Sequence, residues 1–335
     1  MNTKISKQNW SKWHHIFHKA ILSDPTFIPK GTNLLIAVSG GQDSMALLNL
    51  LHDIQGHHEW TIYVWHGDHK WHKKSKHFAE ALKSYCKSKK IHFFLDEIIS
   101  EDISSEDKAR NWRYEKLYQK AEKLMSKKLI SNELYILTGH TSTDNAETFL
   151  LNLARGSNYA GLGNIEKKRL LNNKFYLVRP LLVFSRKDTG LICKSLEIPI
   201  WEDPSNNDLS IKRNIIRKKV IPQLEGIYPG SSDRINCFSK KMNAFNKEQK
   251  DLCKLAISSC RKNEDNLKRE LFNTLGKEAR STILNYFIKE FCSKQVNAKN
   301  IEKASDEIFQ KEIGQINLPG NLKMVWTKKT IRFEN

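Results

Sequence analysis

Hydrophobic residues in the first 200 positions recur as short apolar runs separated by amphipathic stretches. The runs are Leu34 to Val38, Thr61 to Trp65, Ile91 to Leu95 and Leu134 to Thr138. Short segments rich in apolar residues, of which Leu34 to Val38 is uninterrupted, are typical of buried parallel strands. Between them, apolar residues fall at helical spacing, as Phe78, Leu82 and Tyr85 do. This alternation predicts an α/β fold with a doubly wound parallel sheet.

The pattern changes in the second part of the chain. We predict a further strand over Tyr176 to Leu182 and a helix capped by Ser185, and then a region made mostly of helices. The helices of that region are predicted over Ile211 to Leu224, Phe238 to Cys260, Glu278 to Cys292 and Ala298 to Gln310. Gln315 to Phe333 is predicted to form a β-hairpin around Pro319-Gly320-Asn321. We therefore expect two domains, residues 1–215 and residues 216–335.

Charge suggests the kind of partner. The chain of 335 residues has 56 Lys and Arg against 37 Asp and Glu, a formal net charge of +19. This excess favours a polyanion such as nucleic acid, although many of the lysines could be solvated surface. No apolar run approaches the length of about 18 residues that a membrane span needs, so we expect no membrane partner. The six cysteines show no two-residue spacing and predict free thiols in a reducing compartment, the cytoplasm or, if organelle-encoded, a plastid stroma.

The first candidate site is the loop Ser39-Gly40-Gly41-Gln42-Asp43-Ser44, between a predicted strand and a predicted helix. Consecutive glycines allow a tight turn whose amides point into one concavity, and the helix adds its partially positive N-terminus. The loop lacks the lysine of the G-x-x-x-x-G-K-[ST] type. It predicts a phosphate site, with Asp43 on an exposed loop.

A second candidate site follows the predicted strand that ends at Thr138. His140, Asp144 and Glu147 are three or four residues apart, so they share one face once the helix that follows this strand has started. A histidine with two carboxylates could hold Mg²⁺, a ribose or an amine. The two acids could instead only complement the helix N-terminus.

Several segments resemble a known family in the same order. The loop SGGQDS resembles the SGGxDS signature of the N-type ATP pyrophosphatases, also called PP-loop ATPases. Leu137 to Ile165 resembles the corresponding stretch of tRNA(Ile)-lysidine synthetase, and the family's ARxxRY, RPLL, EDxSN and RNxxR blocks match ARNWRY, RPLL, EDPSN and RNIIR. One segment departs from the family. The HxxHGLR-like sequence is His66 to His72 here, in which both histidines match but Gly-Leu-Arg does not.

The resemblance implies an adenine nucleotide alpha hydrolase-like fold and an ATP-dependent ligase. The implied reaction joins free L-lysine to the wobble cytidine of the isoleucine tRNA with a CAU anticodon. ATP adenylates the base carbonyl oxygen, and the ε-amine then displaces AMP. ATP and Mg²⁺ are the implied cofactors, and tRNA and lysine the implied partners. The sequence leaves a homodimer open.

The resemblance also implies a role for each matched residue. Backbone amides and hydroxyls of Ser39 to Ser44 would hold pyrophosphate, with Asp43 acting through Mg²⁺. Arg110 and Arg113 would steady the α-phosphate or the tRNA backbone, unless they form a solvated helix face. Asp144 and Glu147 would bind the lysine ammonium or accept its proton, and His140 would contact the nucleotide. The residues expected to bind RNA phosphates are Arg155, Lys212, Arg213, Arg217 and Lys218, in part from a run of five cations in eight positions.

Two alternatives stay open at this stage. One is another tRNA-modifying enzyme with the same loop, a cytidine thiolase, although that chemistry typically needs a CxxC pair that this chain lacks. The other is an RNA-binding protein that keeps the fold without catalysis. The intact loop and the acidic residues after His140 argue against it.

Overall fold

The chain forms two compact units, Met1–Lys240 and Lys241–Asn335. The computed structural model describes residues 10–70, 74–98, 106–126, 133–163, 165–172, 174–201, 208–263, 266–292, 296–319 and 322–334. The predicted domain boundary between residues 215 and 216 lies inside the first unit and stays a prediction.

The first unit is built on a twisted sheet that has six strands in the described part of the chain. The strands are β1 (Asn33–Ala37), β2 (Thr61–Asp68), β3 (His92–Glu97), β4 (Leu134–Thr138), β5 (Lys168–Leu171) and β6 (Phe175–Val178). Their order is β3-β2-β1-β4-β6-β5, and every pair is parallel except β5 with β6. The predicted doubly wound parallel sheet is confirmed, with an antiparallel edge strand added.

Helices cover both faces of this sheet. They are α1 (Lys12–Leu22), α2 (Gln42–His58), α3 (Ser75–Ser88), α4 (Glu106–Ser126), α5 (Ser142–Ala154) and α6 (Arg186–Ser195). Later in the chain, α7 (Lys212–Ile215) continues through one π-helical turn at Ile216–Val220 into α8 (Ile221–Ile227), and α9 (Ser231–Cys260) follows. The prediction of a strand up to Leu182 is wrong beyond Val178. Pro180 has no N–H to donate to a sheet and begins a 3₁₀ turn, Pro180–Val183.

The core of the first unit lies on the two faces of the sheet. Successive residues of a strand point to opposite faces, so Leu34 and Ile36 pack on one side and Leu35 on the other. The first side is filled from α1, α2, α3 and α6, and the second from α4, for example by Leu117. Because both faces are buried, the loops at the carboxyl ends of the strands have fixed starting points, and ligands bind at this edge of open α/β sheets.

The second unit combines helices with a small antiparallel sheet. Besides the end of α9, its described elements are α10 (Arg269–Asn273), α11 (Lys277–Phe291), α12 (Ala298–Gln310), β7 (Arg261–Asn263), β8 (Asn266–Lys268), β9 (Gly314–Leu318), β10 (Leu322–Trp326) and β11 (Thr330–Glu334). The predicted hairpin is confirmed as β9 and β10, and its turn residues Gly320 and Asn321 lie outside the described residues. The strand order is β7-β8-β11-β10-β9, so the hairpin is part of a larger sheet than predicted. Within the described chain, no helix is long and apolar enough to cross a membrane.

Candidate active site

A cavity of about 380 Å³ opens at the carboxyl ends of β1, β2 and β4. It brings together residues that are far apart in the sequence. The lining includes Ser39, Gly41, Asp43, Ser44, His66, Arg110, Arg113, Tyr114, His140, Asp144, Arg186, Trp201, Arg213 and Arg217. The glycine loop and the segment after β4, which the sequence analysis treats as separate candidates, are thus parts of one site.

The glycine loop is fixed by its own hydroxyl groups and by one tryptophan. The backbone N–H of Ser39 donates to the Ser44 hydroxyl at 3.2 Å, and that hydroxyl donates to the Gly41 carbonyl at 2.9 Å. Gly40 has φ +87°, and a Cβ there would lie 3.2 Å from the Trp201 ring. The backbone N–H of Trp201 also donates to the Gly40 carbonyl at 3.0 Å, which holds the ring in place, so the turn requires glycine at this position.

The next two residues of the loop are held by α6. The Gln42 side chain donates to the Arg186 carbonyl at 2.6 Å and to the Thr189 hydroxyl at 2.8 Å. Asp43 is ion-paired with Arg186 and accepts from the Thr189 hydroxyl at 2.5 Å. Its side chain is 15% exposed, so the prediction that Asp43 lies on an exposed loop is wrong. Asp43 lies in the first turn of α2 instead, and burial raises its pKa despite the Arg186 guanidinium.

Asp144 and Glu147 lie on one face of α5, and two arginines neutralise them. We call Asp144, Glu147, Arg213 and Arg217 the carboxylate–arginine cluster. Arg213 donates hydrogen bonds to Asp144 and to Glu147, at 2.7 Å each. Arg217 donates to Glu147 at 2.5 and 2.8 Å and to Asp144 at 3.4 Å. The Glu147 side chain is fully buried, and those of the arginines are less than one fifth exposed.

The backbone of α5 adds to this neutralisation. The second Asp144 oxygen accepts from the backbone N–H and the hydroxyl of Thr141, at 2.7 and 2.9 Å, in a capping box. Burial opposes ionisation of Asp144, but the Arg213 guanidinium, the Thr141 N–H and Arg217 together outweigh it and lower the pKa of Asp144. The predicted lysine-binding carboxylates and two predicted RNA-binding arginines are therefore bound to one another.

His140 lies between the loop and the cluster as a neutral imidazole. Burial lowers the pKa of His140 to about 3, against the opposing effect of Asp144. Its Nδ1 lies 2.9 Å from the Thr138 hydroxyl. Gly139 permits this arrangement, because a Cβ there would lie 3.1 Å from the backbone of Asp43. A side chain at position 139 would push the end of β4 and the start of α2 apart.

Tyr114 is a cavity residue that the sequence analysis does not assign, although it closes the ARxxRY block. The Arg110 guanidinium lies 5.3 Å from the centre of its ring and that of Arg169 lies 5.6 Å away. The Tyr114 side chain also hydrogen-bonds Arg179, a buried residue that donates to the Glu166 carbonyl at 2.6 Å. Burial opposes ionisation of Tyr114, but Arg110 and Arg179 outweigh it and lower its pKa. This corner of the cavity is strongly cationic.

The segment that departs from the family pattern also reaches the cavity. The Nδ1 of His66 donates to the Val38 carbonyl at 2.7 Å, which leaves Nε2 as an acceptor. Burial lowers the pKa of His66. Trp71 and His72, the last residues of this segment, lie outside the described residues, as do residues 202–207, which carry the EDPSN block.

The remaining predicted residues lie on the surface. Arg113 is exposed beside the cavity, and Arg155, at the end of α5, is exposed as well. Lys212 and Lys218 are exposed, on the same helical segment as Arg213 and Arg217. The run of cations thus divides into two groups, arginines that face the cavity and lysines that face solvent.

The described residues provide no cluster of three or more His, Cys, Asp or Glu side chains that could hold a metal ion. Mg²⁺ is usually bound by one or two carboxylates together with substrate phosphates and water, so a cluster is not required. Asp43, next to the glycine loop, suits this mode of binding once its carboxylate is free of Arg186.

The parallel sheet, the glycine loop and the cationic cavity together indicate a protein of the PP-loop class. Residues 11–224 match the family described as the PP-loop domain. Over 331 residues the chain is 56% identical to a tRNA(Ile)-lysidine synthase from Prochlorococcus marinus subsp. pastoris, which covers 98% of each chain. A tRNA(Ile)-lysidine synthase from Prochlorococcus marinus strain SARG is 39% identical over 335 residues, 100% of this chain and 99% of that one. The chain belongs to the tRNA(Ile)-lysidine synthase family.

A solved structure supports the fold independently. The U34-tRNA thiolase from Methanococcus maripaludis superposes with a TM-score of 0.56 over 68% of this chain and 77% of that one. At 15% identity, this likeness concerns the fold alone.

Proposed function

We propose that this protein ligates L-lysine to the wobble cytidine of the isoleucine tRNA with a CAU anticodon. ATP would adenylate the base carbonyl oxygen, and the products would be lysidine, AMP and pyrophosphate. Family membership over the whole chain supports the reaction. The observation that carries the proposal is the cavity whose lining includes both the glycine loop and Asp144, a carboxylate suited to an amine, which shares Arg213 with the fully buried Glu147.

The chemistry explains why both features are needed. The carbonyl oxygen at C2 of cytidine is a poor leaving group, and adenylation joins it to the α-phosphorus, so that it can leave as part of AMP. The ε-amine of lysine then attacks C2, the C2–O bond breaks, and the electron pair leaves with AMP. The amine must first lose a proton, because an ammonium has no lone pair to donate.

Phosphate binding is assigned to the start of α2. Ser39, Gly41 and Ser44 line the cavity, and the N-terminus of α2 favours negative charge. Asp43 would hold Mg²⁺ together with phosphate oxygens, and the ion would offset the negative charge of the pyrophosphate group. Gln42 is a positioning residue, since its side chain is engaged by α6.

The residues around the base and the α-phosphate come from β4 and α4. Neutral His140 can exchange hydrogen bonds with the nucleotide without adding charge. Arg110 lies at the cationic corner with Tyr114 and is suited to an α-phosphate, whereas the more exposed Arg113 is suited to the tRNA backbone.

The carboxylate–arginine cluster would bind lysine by exchanging partners. An ammonium needs an opposite charge when it leaves water, and Asp144 and Glu147 offer two. In this structure both carboxylates are bound to Arg213 and Arg217. We propose that tRNA phosphates draw these guanidinium groups away, while exposed Arg155, Lys212 and Lys218 bind the RNA from the start. The cytoplasmic location and the homodimer stay predictions.

The test is to incubate the protein with ATP, labelled lysine and total tRNA, and then to analyse the nucleosides. Lysidine in the isoleucine tRNA is expected, together with AMP release that requires both tRNA and lysine. Thiolated cytidine would instead support the thiolase alternative, and binding without AMP release would support a non-catalytic RNA-binding protein. The structure argues against the thiolase, because no cysteine lines the described cavity and burial raises the pKa of Cys193 to about 11.

The roles of the two carboxylates are separated by Asp144→Asn and Glu147→Gln, with Asp208→Asn as the control at a site outside the cavity lining. If the carboxylates bind the ammonium, adenylation of tRNA without lysine should persist while the KM for lysine rises. If either one binds Mg²⁺, adenylation itself should be lost. Full activity in both variants would remove the pair from the mechanism.

A further inference from the structure

Arg186, a residue outside the family blocks matched above, has its backbone fixed beside the phosphate loop. It is the first residue of α6, whose preceding Ser185 forms a capping box with Asp188. Its N–H donates to the Thr143 hydroxyl at 3.0 Å, and its carbonyl accepts from the Gln42 side chain at 2.6 Å. The position of the Arg186 Cα is thus fixed relative to both α5 and the glycine loop.

The Arg186 side chain extends from this anchor into the cavity. One third of it is exposed there, and its guanidinium is ion-paired with Asp43. The glycine loop has no lysine of its own, unlike the G-x-x-x-x-G-K-[ST] type. Of the other described cations that line the cavity, Arg110 and Arg113 come from α4, Arg213 and Arg217 are held by the carboxylate–arginine cluster, and Lys70 is ion-paired with Glu97. Arg186 is instead paired with Asp43, in the first helical turn after the glycine loop.

A purely structural role for this ion pair is not needed. The junction of α2 and α6 is already fixed by the two Gln42 hydrogen bonds, by Thr189 with Asp43 and by the Cys193 thiol, which donates to the Gln42 carbonyl at 3.4 Å. Ile192 is fully buried in the same core as the apolar residues of α2. Removing the charge of Arg186 would leave these contacts in place.

We propose that Arg186 binds the pyrophosphate group of ATP. Until ATP binds, Asp43 holds the Arg186 guanidinium, and a cation then takes the place of the guanidinium at Asp43. This inference rests on the proposed adenylation. In that step a bond forms between the α-phosphorus and the base oxygen, and the bond from the α-phosphorus to the α,β-bridging oxygen breaks. The electron pair leaves with pyrophosphate, whose charge therefore grows. A guanidinium that binds two phosphate oxygens stabilises this growing charge.

The first experiment measures the binding of inorganic pyrophosphate by calorimetry in a metal-free buffer. In the wild type, pyrophosphate must compete with Asp43 for Arg186. Asp43→Asn removes this competitor and should tighten binding about 10-fold or more. Asp43→Asn combined with Arg186→Gln should lose this gain, because the guanidinium is absent. Equal affinity in the single Asp43 variant and in the double variant would overturn the proposal.

The second experiment compares inhibition of the proposed reaction by pyrophosphate and by AMP in the presence of Mg²⁺. Arg186→Gln should weaken pyrophosphate inhibition about 10- to 100-fold, the range for one charge-assisted contact, and leave AMP inhibition within about 2-fold. Arg186→Lys keeps the charge without the two-point contact, so its pyrophosphate inhibition should lie between that of the wild type and that of Arg186→Gln. Equal weakening of both inhibitors would indicate a structural role and overturn the proposal.

The control is Lys187→Gln, which removes a neighbouring exposed cation of the same helix turn and should change neither inhibitor. If the wild type bound pyrophosphate as expected but incorporated no lysine, the proposed function would fail and the assignment of Arg186 to pyrophosphate would stand. If the wild type incorporated lysine and Arg186→Gln had no effect on pyrophosphate, the assignment alone would fail.

Discussion

Glu147→Gln should destabilise the first unit far more than the same change at the surface. Glu147 is fully buried, and its two oxygens accept three hydrogen bonds, from Arg213 at 2.7 Å and from Arg217 at 2.5 and 2.8 Å. Glutamine replaces one acceptor oxygen by an N–H₂ group that faces a guanidinium donor. It also leaves two arginines to share the Asp144 carboxylate.

The expected size of the effect follows from this geometry. Removing one partner of a buried ion pair costs about 3–5 kcal/mol, because the remaining charge is left without compensation. In a unit of this size, 1 kcal/mol shifts Tm by about 2–4 °C, so Tm should fall by about 6–20 °C. The control is Glu59→Gln, which breaks the Lys30–Glu59 pair at 2.8 Å. Both of its side chains are about two thirds exposed, and the expected cost is below about 1 kcal/mol.

Tryptophan fluorescence during thermal unfolding is a suitable assay. All tryptophans except Trp326 precede residue 202, so the signal reports mainly on the first unit. The decisive measurement repeats Glu147→Gln in a background with Arg213→Met and Arg217→Met. Glu147 is then a buried carboxylate without its arginines, and its neutralisation should raise Tm instead of lowering it. The reasoning is refuted if Glu147→Gln lowers Tm equally in both backgrounds, or no more than Glu59→Gln does.

Three further predictions concern other parts of the first unit. Gly40→Ala should lower the free energy of unfolding by about 1–2 kcal/mol, because alanine is strained at φ +87°, and should raise the KM for ATP. The control is Gly56→Ala, in α2 with open space around it, which should raise the free energy of unfolding by roughly 0.5–1 kcal/mol. Burial lowers the pKa of His58 to about 4. The free energy of unfolding should therefore be unaffected by His58 above pH 6.5 and fall by about 1–3 kcal/mol toward pH 4, as the unfolded chain takes up the proton first. His58→Phe should flatten this loss in urea titrations at each pH. Lys212→Ala with Lys218→Ala should reduce the salt dependence of tRNA binding by about 0.9 per lost phosphate contact, measured by filter binding, and an unchanged slope would make both lysines plain surface.

The central strands β1 and β4 could be predicted because burial on both faces leaves a clear apolar run. The edge strand β5 reads Lys-Arg-Leu-Leu and pairs on one side only, so its sequence carries no comparable signal. The helix α1 does carry a signal, since Trp13, Phe17 and Ile21 are spaced by four and are buried on one face. It could have been predicted from this spacing. Strands β7 and β8, of three residues each, are too short for periodicity to reveal.

The site could be predicted in its parts but not in its pairings. Spacing along one helix places Asp144 and Glu147 on one face, and the structure agrees. Nothing local to either segment shows that Arg213 and Arg217 lie against them, because about 70 residues separate the two helices and only the fold brings them together. Asp144 and Glu147 are three residues apart, and Arg213 and Arg217 are four apart, so each pair lies on one helix face. This matching spacing can be recognised only once the contact between the two helices is known.

The Asp43–Arg186 pair and the carboxylate–arginine cluster follow one arrangement. In each, a carboxylate in the first turns of a helix that follows a sheet strand is neutralised by arginine from a later segment. On the proposed roles, a polyanionic ligand must displace the carboxylate from an arginine in order to bind that arginine. A cationic ligand must displace the arginine from a carboxylate in order to bind that carboxylate. Once one ligand has displaced its competitor, the ligand of opposite charge finds its own group already free, so the two bind more tightly together than separately. On these proposed roles, a site neutralised from within would bind Mg²⁺ with ATP, and lysine with tRNA, in preference to any of them alone.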